Sequence, residues 1–410
     1  MTQLAATAPL VTQANQHALA RMFSVQPVWS RIVSARVGLN LPVHTLLHAG
    51  PPLINPRQPP APIRSVIVLS CLYEGWASNE AQAEALIDSG TLDLLPAQDF
   101  GCVTPLAALI TSKSSLVEVA DASGTVSPVW SLLASGPPPD IRFGSRHPGC
   151  LNSMAYRDAE LTDTLQLALA QPLDLVVIAQ QGLAGGDELH SRTQAATAAL
   201  RIELLQRLGQ AKLAPDALDA MSAMLNSSPG FFLTLWMAAC RLYLTAAEDI
   251  PHCSLVTRMG ANGESVGISL GQQPDVWWTA PATAPVGGRL PGVSNDLLAA
   301  GVVGDSAVVD VMGFGGQWTA HAPEVFQSLS DHLPADFAQR KHGMMLAAHP
   351  AFAQQEAVLS GLDASQVQAL GLAPLVNIGI LAANGQNGLL GRGLYEPPVE
   401  LFGRALQGQT

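Results

Sequence analysis

The sequence predicts an α+β, multi-domain protein in which mixed α/β N- and C-terminal domains flank a mainly helical middle domain. Three observations predict it. The chain has 410 residues, more than one ordinary core holds. Its apolar pattern turns helical from about residue 155 to 250, then gives way to short runs separated by glycines. Helices and strands also fall in separate runs rather than in regular alternation. The domains expected are 1–150, 151–250 and 251–410.

Taken in order, residues 1–45 read as helical and amphipathic in patches, with Gln13, Asn15, Gln16 and Arg21 set among Ala, Leu and Val. The Pro-rich stretch from Gly50 to Pro62 excludes helix, because proline fixes φ and lacks the N–H. Ser65–Leu69 is apolar and β-branched and predicts a buried strand. Asn79 to Ser89, with Asn79 or Ser78 as N-cap and Gly90 after it, carries both helix boundary signals. Ser135–Asp140 is the best domain edge. Glu188–Leu208 and Phe231–Ala247 are the clearest helices of the middle segment. After Pro251 the strands expected are Ser254–Arg258, Ser265–Leu270, Val276–Thr279 and Ala307–Val311.

Composition narrows the function. Charged residues are 13% of the chain, net charge is −12, and Lys113, Lys212 and Lys341 are the only lysines. A nucleic-acid backbone binder needs a basic patch to displace counterions, so that class is excluded. Disorder is excluded too, since apolar residues reach 48%. So little charge fits either burial against partners or a compact Ala-rich protein. The five cysteines (Cys71, Cys102, Cys150, Cys240 and Cys253) form no CxxC, which supports neither a disulfide framework nor a zinc site. No signal peptide is evident, and Arg241 interrupts the most apolar run, so no membrane span and a cytoplasmic location are expected.

The densest chemistry lies in Gly185-Gly186-Asp187-Glu188-Leu189-His190-Ser191-Arg192. Asp187 reads as an N-cap, and a helix start favours an anion. On a helix, Glu188 and Arg192 would share one face, as would Asp187 and His190, placing a proton donor beside an anion clamp. The same residues also read as an ordinary capped helix with a surface ion pair. His48 precedes a rigid Gly50-Pro51-Pro52 turn, and Glu74 sits in Tyr73-Glu74-Gly75-Trp76 at the end of the expected strand. Polar glycine turns follow: Asn262-Gly263, Gly304-Asp305-Ser306, Gly313-Phe314-Gly315-Gly316 and Asn377-Ile378-Gly379. Their N–H groups suit oxyanions. Gly388, Gly391 and Gly393 only weakly echo a nucleotide fingerprint. No P-loop, HExxH or nucleophile elbow occurs, so no cofactor is expected and a metal is unsupported.

His48-Ala49-Gly50-Pro51-Pro52, Glu74-Gly75-Trp76, Gly186–Arg192 and Gly304-Asp305-Ser306-Ala307 occur together in this order. They are joined by Phe232-Leu233, Met237–Cys240, Trp278-Thr279-Ala280-Pro281 and Pro374–Ile380. This combination resembles the YlbE/YahG-like family, which includes AllG, the large subunit of bacterial oxamate carbamoyltransferase. The resemblance runs from about residue 28 to 406. It implies a cytosolic protein of purine (allantoin) nitrogen catabolism, working with an FdrA-like (AllF-like) subunit and a third subunit. The implied reaction is phosphorolysis of a ureido acid, oxalurate, to oxamate and carbamoyl phosphate. The alternatives are a non-catalytic scaffold paralogue for an FdrA-like partner, or a stand-alone enzyme on another small amide or ureido substrate; a homo-oligomer is a further expectation. On this basis Arg192, Gly315 and Gly316 are the expected anion holders, and His190 or Glu188 the proton donor. His48 and Glu74 would orient the substrate, and Asn262 and Asn377 would bind its amide. Gly50, Asp187, Thr279, Asp305, Ser306 and Gly379 complete the candidate site. The sequence departs from the family's pattern in three places: Ala97-Gln98-Asp99-Phe100 with Thr104–Ala108, the Pro-rich 135–140, and Ala382-Ala383. Each replaces a polar or glycine-turn element of the family.

Overall fold

The computed structural model describes residues 2–353 and 356–408. The N-terminal helix Thr2–Ser24 stops before Pro27, and Pro27–Ser34 is a strand, where helical character was expected as far as residue 45. That strand lies next to the edge of a five-stranded sheet of order Cys102–Val103, Val129–Leu132, Ser115–Asp121, Pro27–Ser34, Leu173–Asp174. A four-stranded sheet orders Gln273–Pro281, Ser265–Leu270, Val256–Asn262 and Val303–Gly304. A three-stranded sheet orders Val286–Arg289, Leu389–Tyr395 and Val376–Leu381. The architecture is therefore mixed α and β, as expected.

The helix Phe232–Thr245 holds the molecule together. It is mostly apolar and almost wholly buried, with Arg241 inside paired to Glu248 at 2.8 Å, so it belongs inside a core rather than on a surface. It touches strands of both the five-stranded and the four-stranded sheets. Trp236 stacks on Phe232 and meets Phe314 and Phe352 edge-on. Burying each such side chain stabilises the fold by about 1.5–3 kcal/mol. The largest core runs from Ala14 to Ala405 and the second from Ala35 to Leu381, so each joins early and late chain.

Asn79 and Gly90 bound a helix as expected: Glu80–Ser89, with Asn79 accepting from the Gln82 N–H and Gly90 left-handed. Three further expectations are corrected. Ser65–Leu69 lies inside a helix, Ala61–Glu74, which begins within the Pro-rich stretch. Pro62 stands in the first turn, where a missing N–H is harmless. The run is buried on all sides, and such a run has no period with which to distinguish helix from strand. For the same reason Ala307–Val311 is a buried helical turn rather than a strand. Finally, residues 188–193 are a loop, and the helix occupies Gln194–Gln210.

Candidate active site

Because 188–193 is a loop, Glu188 and His190 meet through folding rather than through helix spacing. Leu189 between them is fully buried with φ 67°, a conformation unusual for a branched side chain, and its N–H donates to the Arg192 carbonyl. This turn folds the Glu188 carboxylate back onto the following backbone. It accepts from the N–H groups of His190 at 2.6 Å, Ser191 at 2.5 Å and Arg192 at 3.3 Å, and from Asn377 Nδ2 at 3.2 Å.

The His190 ring meets a partner that sequence reading overlooked. Its Nδ1 lies 2.7 Å from Asp310 Oδ2, and both side chains are buried. The other Asp310 oxygen accepts from the N–H groups of Gly316 at 2.7 Å and Asn377 at 3.1 Å. The Gly315 N–H donates to the Glu188 carbonyl, and Asn377 Nδ2 also donates to Thr319 Oγ1. A Cβ at Gly315, where φ is +54°, would collide with Asp310 Oδ1 and crowd His190. Gly315, Gly316 and Asn377 are thus brought to the site, with their N–H groups spent on holding Asp310 and Glu188.

Electrostatically, burial pushes His190 towards the neutral form, but the Asp310 carboxylate, its hydrogen bond and Glu188 outweigh it, and the pKa is raised. Burial raises Glu188, opposed by His190 and the three backbone donors. His190 Nε2 has no partner among the described residues and, unlike His48 Nε2, is not sealed from solvent. The arrangement is an oriented imidazole that holds or releases a proton at Nε2.

His190 borders a cavity of about 510 Å³. Leu106, Phe143, Leu233, Ile378 and Leu389 give it apolar walls, and Ser306, Gly379, Arg142, Arg289 and Arg392 also line it. Arg392 was not anticipated; it reaches Ser328 Oγ at 3.0 Å, the Ser191 carbonyl at 3.5 Å and Glu324 at 3.4–3.5 Å. Arg192 is held differently. Its Nη1 binds Asp187 and its Nε binds Glu324 at 2.7 Å, so two carboxylates already hold it. Asp187 caps the 194–210 helix from outside, accepting from the Ala196 N–H at 2.8 Å.

The remaining candidates lie away from the cavity. Asp305 is buried and accepts from the Gly50 N–H at 2.9 Å, Gln98 Nε2 at 2.7 Å and the Thr104 N–H at 3.1 Å. Burial pushes its pKa up to about 7 against those three donors. Asn262 Nδ2 donates to the Pro51 carbonyl at 2.8 Å. Gly50, with φ +76°, packs against the backbone of Ala261 where no Cβ fits. His48 is fully buried, with Nδ1 on the Ala49 carbonyl at 2.8 Å, and burial lowers its pKa to about 4. Together these residues pin the 48–52 segment to the strand Val256–Asn262. Glu74 ends the Ala61–Glu74 helix and accepts from the Lys113 N–H at 2.9 Å. The Thr279 carbonyl accepts from Arg404. Among the described residues no group of three or more His, Cys, Asp and Glu side chains is placed to hold a metal ion. No helix among them is long and apolar enough to cross a membrane.

Comparison with known proteins gives this geometry its family. The chain is 29% identical to oxamate carbamoyltransferase subunit AllG of Escherichia coli (strain K12), over 97% of each chain. It is 26% identical to the uncharacterized protein YahG of the same strain, over 97% of this chain and 86% of that one. A crystal structure of a conserved protein of unknown function from Enterococcus faecalis V583 superposes with a TM-score of 0.89 at 24% identity, over 97% of both chains, and so shares the fold. The family model described as oxamate carbamoyltransferase subunit AllG matches residues 92–306, more than half of the chain, and the chain belongs to that family of carbamoyltransferase subunits.

Proposed function

We propose that this subunit contributes the carbamoyl-transfer site of a complex that cleaves a ureido acid such as oxalurate with phosphate, giving oxamate and carbamoyl phosphate in purine (allantoin) nitrogen catabolism. One observation carries the reading: a buried His190–Asp310 pair with Nε2 free beside a cavity lined by three arginines. In the reaction a phosphate oxygen bonds to the carbamoyl carbon, and the bond from that carbon to the oxamate nitrogen breaks. The nitrogen leaves with a proton from His190 Nε2, and the proton of hydrogen phosphate restores the imidazolium. Asp310 favours the charged ring, and Glu188 fixes the loop that carries it. Arg142 and Arg392 hold the anionic ends of the reactants, and the apolar walls strengthen those contacts by excluding water. The partners under this reading are an FdrA-like subunit and a third subunit.

The test is reconstitution of the full chain with those partners, followed by assay of carbamoyl phosphate from oxalurate and phosphate. His190→Gln is expected to lower kcat by about 10²–10⁴. A reconstituted complex that makes no carbamoyl phosphate, or a His190→Gln complex with unchanged turnover, rejects the reading.

A further inference from the structure

The three-stranded sheet offers the cavity an unusual row. Arg392 is directly opposite Gly288 on one neighbouring strand and opposite Gly379 on the other. Directly opposed residues in antiparallel strands project from the same face, so the row across that face reads glycine, arginine, glycine. All three residues line the cavity. On the Gly288 side bare backbone flanks the arginine and leaves a flat slot, whereas the side chains of Leu106 and Leu389 close over Gly379.

The two glycines differ in whether a side chain would fit. A Cβ at Gly379 would press on Leu389 and Leu106, at 2.9 and 3.2 Å. At Gly288 the nearest atom would be the Ser328 carbonyl oxygen at 3.8 Å, so packing leaves room there. Its φ is also outside the left-handed region. Neither packing nor conformation therefore demands glycine at 288, which directs attention to the space beside Arg392.

Arg392 is also loosely held. Its contacts to Glu324 are 3.4 and 3.5 Å, and Glu324 is 56% exposed. The same Glu324 binds Arg192 at 2.7 Å. An incoming carboxylate can thus take Arg392 while Glu324 stays with Arg192.

We propose that Gly288 and Arg392, bounded on the Gly379 side by Leu106 and Leu389, form the subsite for the planar carboxylate end of the ureido-acid substrate and of the oxamate it yields, with Arg392 as the residue that selects an acid over its amide. A planar carboxylate lies flat on the bare backbone while the guanidinium fork meets both oxygens; a tetrahedral phosphate has no flat face to lay there. This rests on the carbamoyl-transfer reading for the identity of the ligand.

The test is calorimetric binding to the full chain, using oxamate, uncharged oxamide and inorganic phosphate. Oxamate is expected to bind at least about tenfold more tightly than oxamide. Arg392→Ala and Gly288→Val are each expected to weaken oxamate by about 10- to 100-fold, the worth of a charge-assisted hydrogen-bonded pair. Arg392→Lys should recover only part, since it keeps the charge and loses the fork. Gly288→Val leaves every ion pair in place and guards against a misfolded Arg392→Ala. Phosphate affinity should change by less than about threefold in Gly288→Val, below half the free energy of one charge-assisted bond. The proposal is overturned if the wild type does not bind oxamate or binds oxamide equally. It is also overturned if Gly288→Val binds oxamate like the wild type, or loses phosphate as much as oxamate. Turnover is not read in this experiment: oxamate selectivity in a chain whose complex makes no carbamoyl phosphate would sink the transfer reading and leave the subsite standing.

Discussion

Asp310 and Asp305 show how differently two buried carboxylates are used five positions apart. Asp310 faces an imidazole beside a cavity, whereas Asp305 faces three donors inside a sealed contact between distant segments. Asp305→Ala leaves those donors unsatisfied, and we expect a loss of about 2–5 kcal/mol in urea unfolding. His48 gives a pH-dependent companion. Its folded pKa, about 4, is depressed from the ordinary 6.5, so its contribution is present above 6.5 and lost as pH falls through 4. The size is on the order of 3 kcal/mol for so buried a ring. Buried His349, also lowered to about 4 by burial, adds a second such contribution. The wild type should therefore lose stability between pH 6.5 and 4, and His48→Asn, which keeps a donor for the Ala49 carbonyl, should lose less. An equal loss of unfolding free energy between the two pH values in the wild type and in His48→Asn would show that His48 does not carry the effect.

At the scale of elements, the clearest test is the cap of the Glu80–Ser89 helix. Asn79→Ala should cost about 1 kcal/mol, read as a lower urea midpoint with unchanged slope. That helix was legible because both of its boundaries are written in local chemistry, the Asn79 side chain and the left-handed Gly90. The strand Ser265–Leu270 was legible as an apolar run between glycines. Ser65–Leu69 and Ala307–Val311 were not: each is buried on every side, and their helical state is decided by what packs around them. The site divides in the same way. His190, Glu188, the Gly315-Gly316 turn and Asn377 were identifiable by residue type. Asp310 lies 120 positions from His190, and Arg392 reaches a carbonyl 201 positions away, so no local pattern reveals either. Arg192 drew attention by spacing, but the loop gives it to Asp187 and Glu324.

Across the whole molecule, a chain of net charge −12 gathers Arg142, Arg289 and Arg392 around one cavity. Glu324 shares that lining and pairs with Arg392, but the arginines outnumber it, and salt should weaken the capture of anions more than the chemistry that follows. For the reconstituted complex, KM for the ureido acid should therefore rise several-fold from low salt to about 0.5 M, with kcat nearly constant. Insensitivity of KM to salt would argue against arginine-held anions. Val286, Leu290 and Phe326 are exposed apolar side chains on segments that also build the cavity wall. The central claim, that Asp310 keeps His190 charged for proton donation, is tested most directly by the pH profile of kcat/KM for the Asp310→Asn complex. The raised pKa of His190 means the donor form is present at low pH and lost as pH rises through that value. Removing the carboxylate should lower the rate by about 10²–10⁴ and move the alkaline limb to lower pH. An Asp310→Asn complex with wild-type turnover and an unmoved alkaline limb would contradict the account.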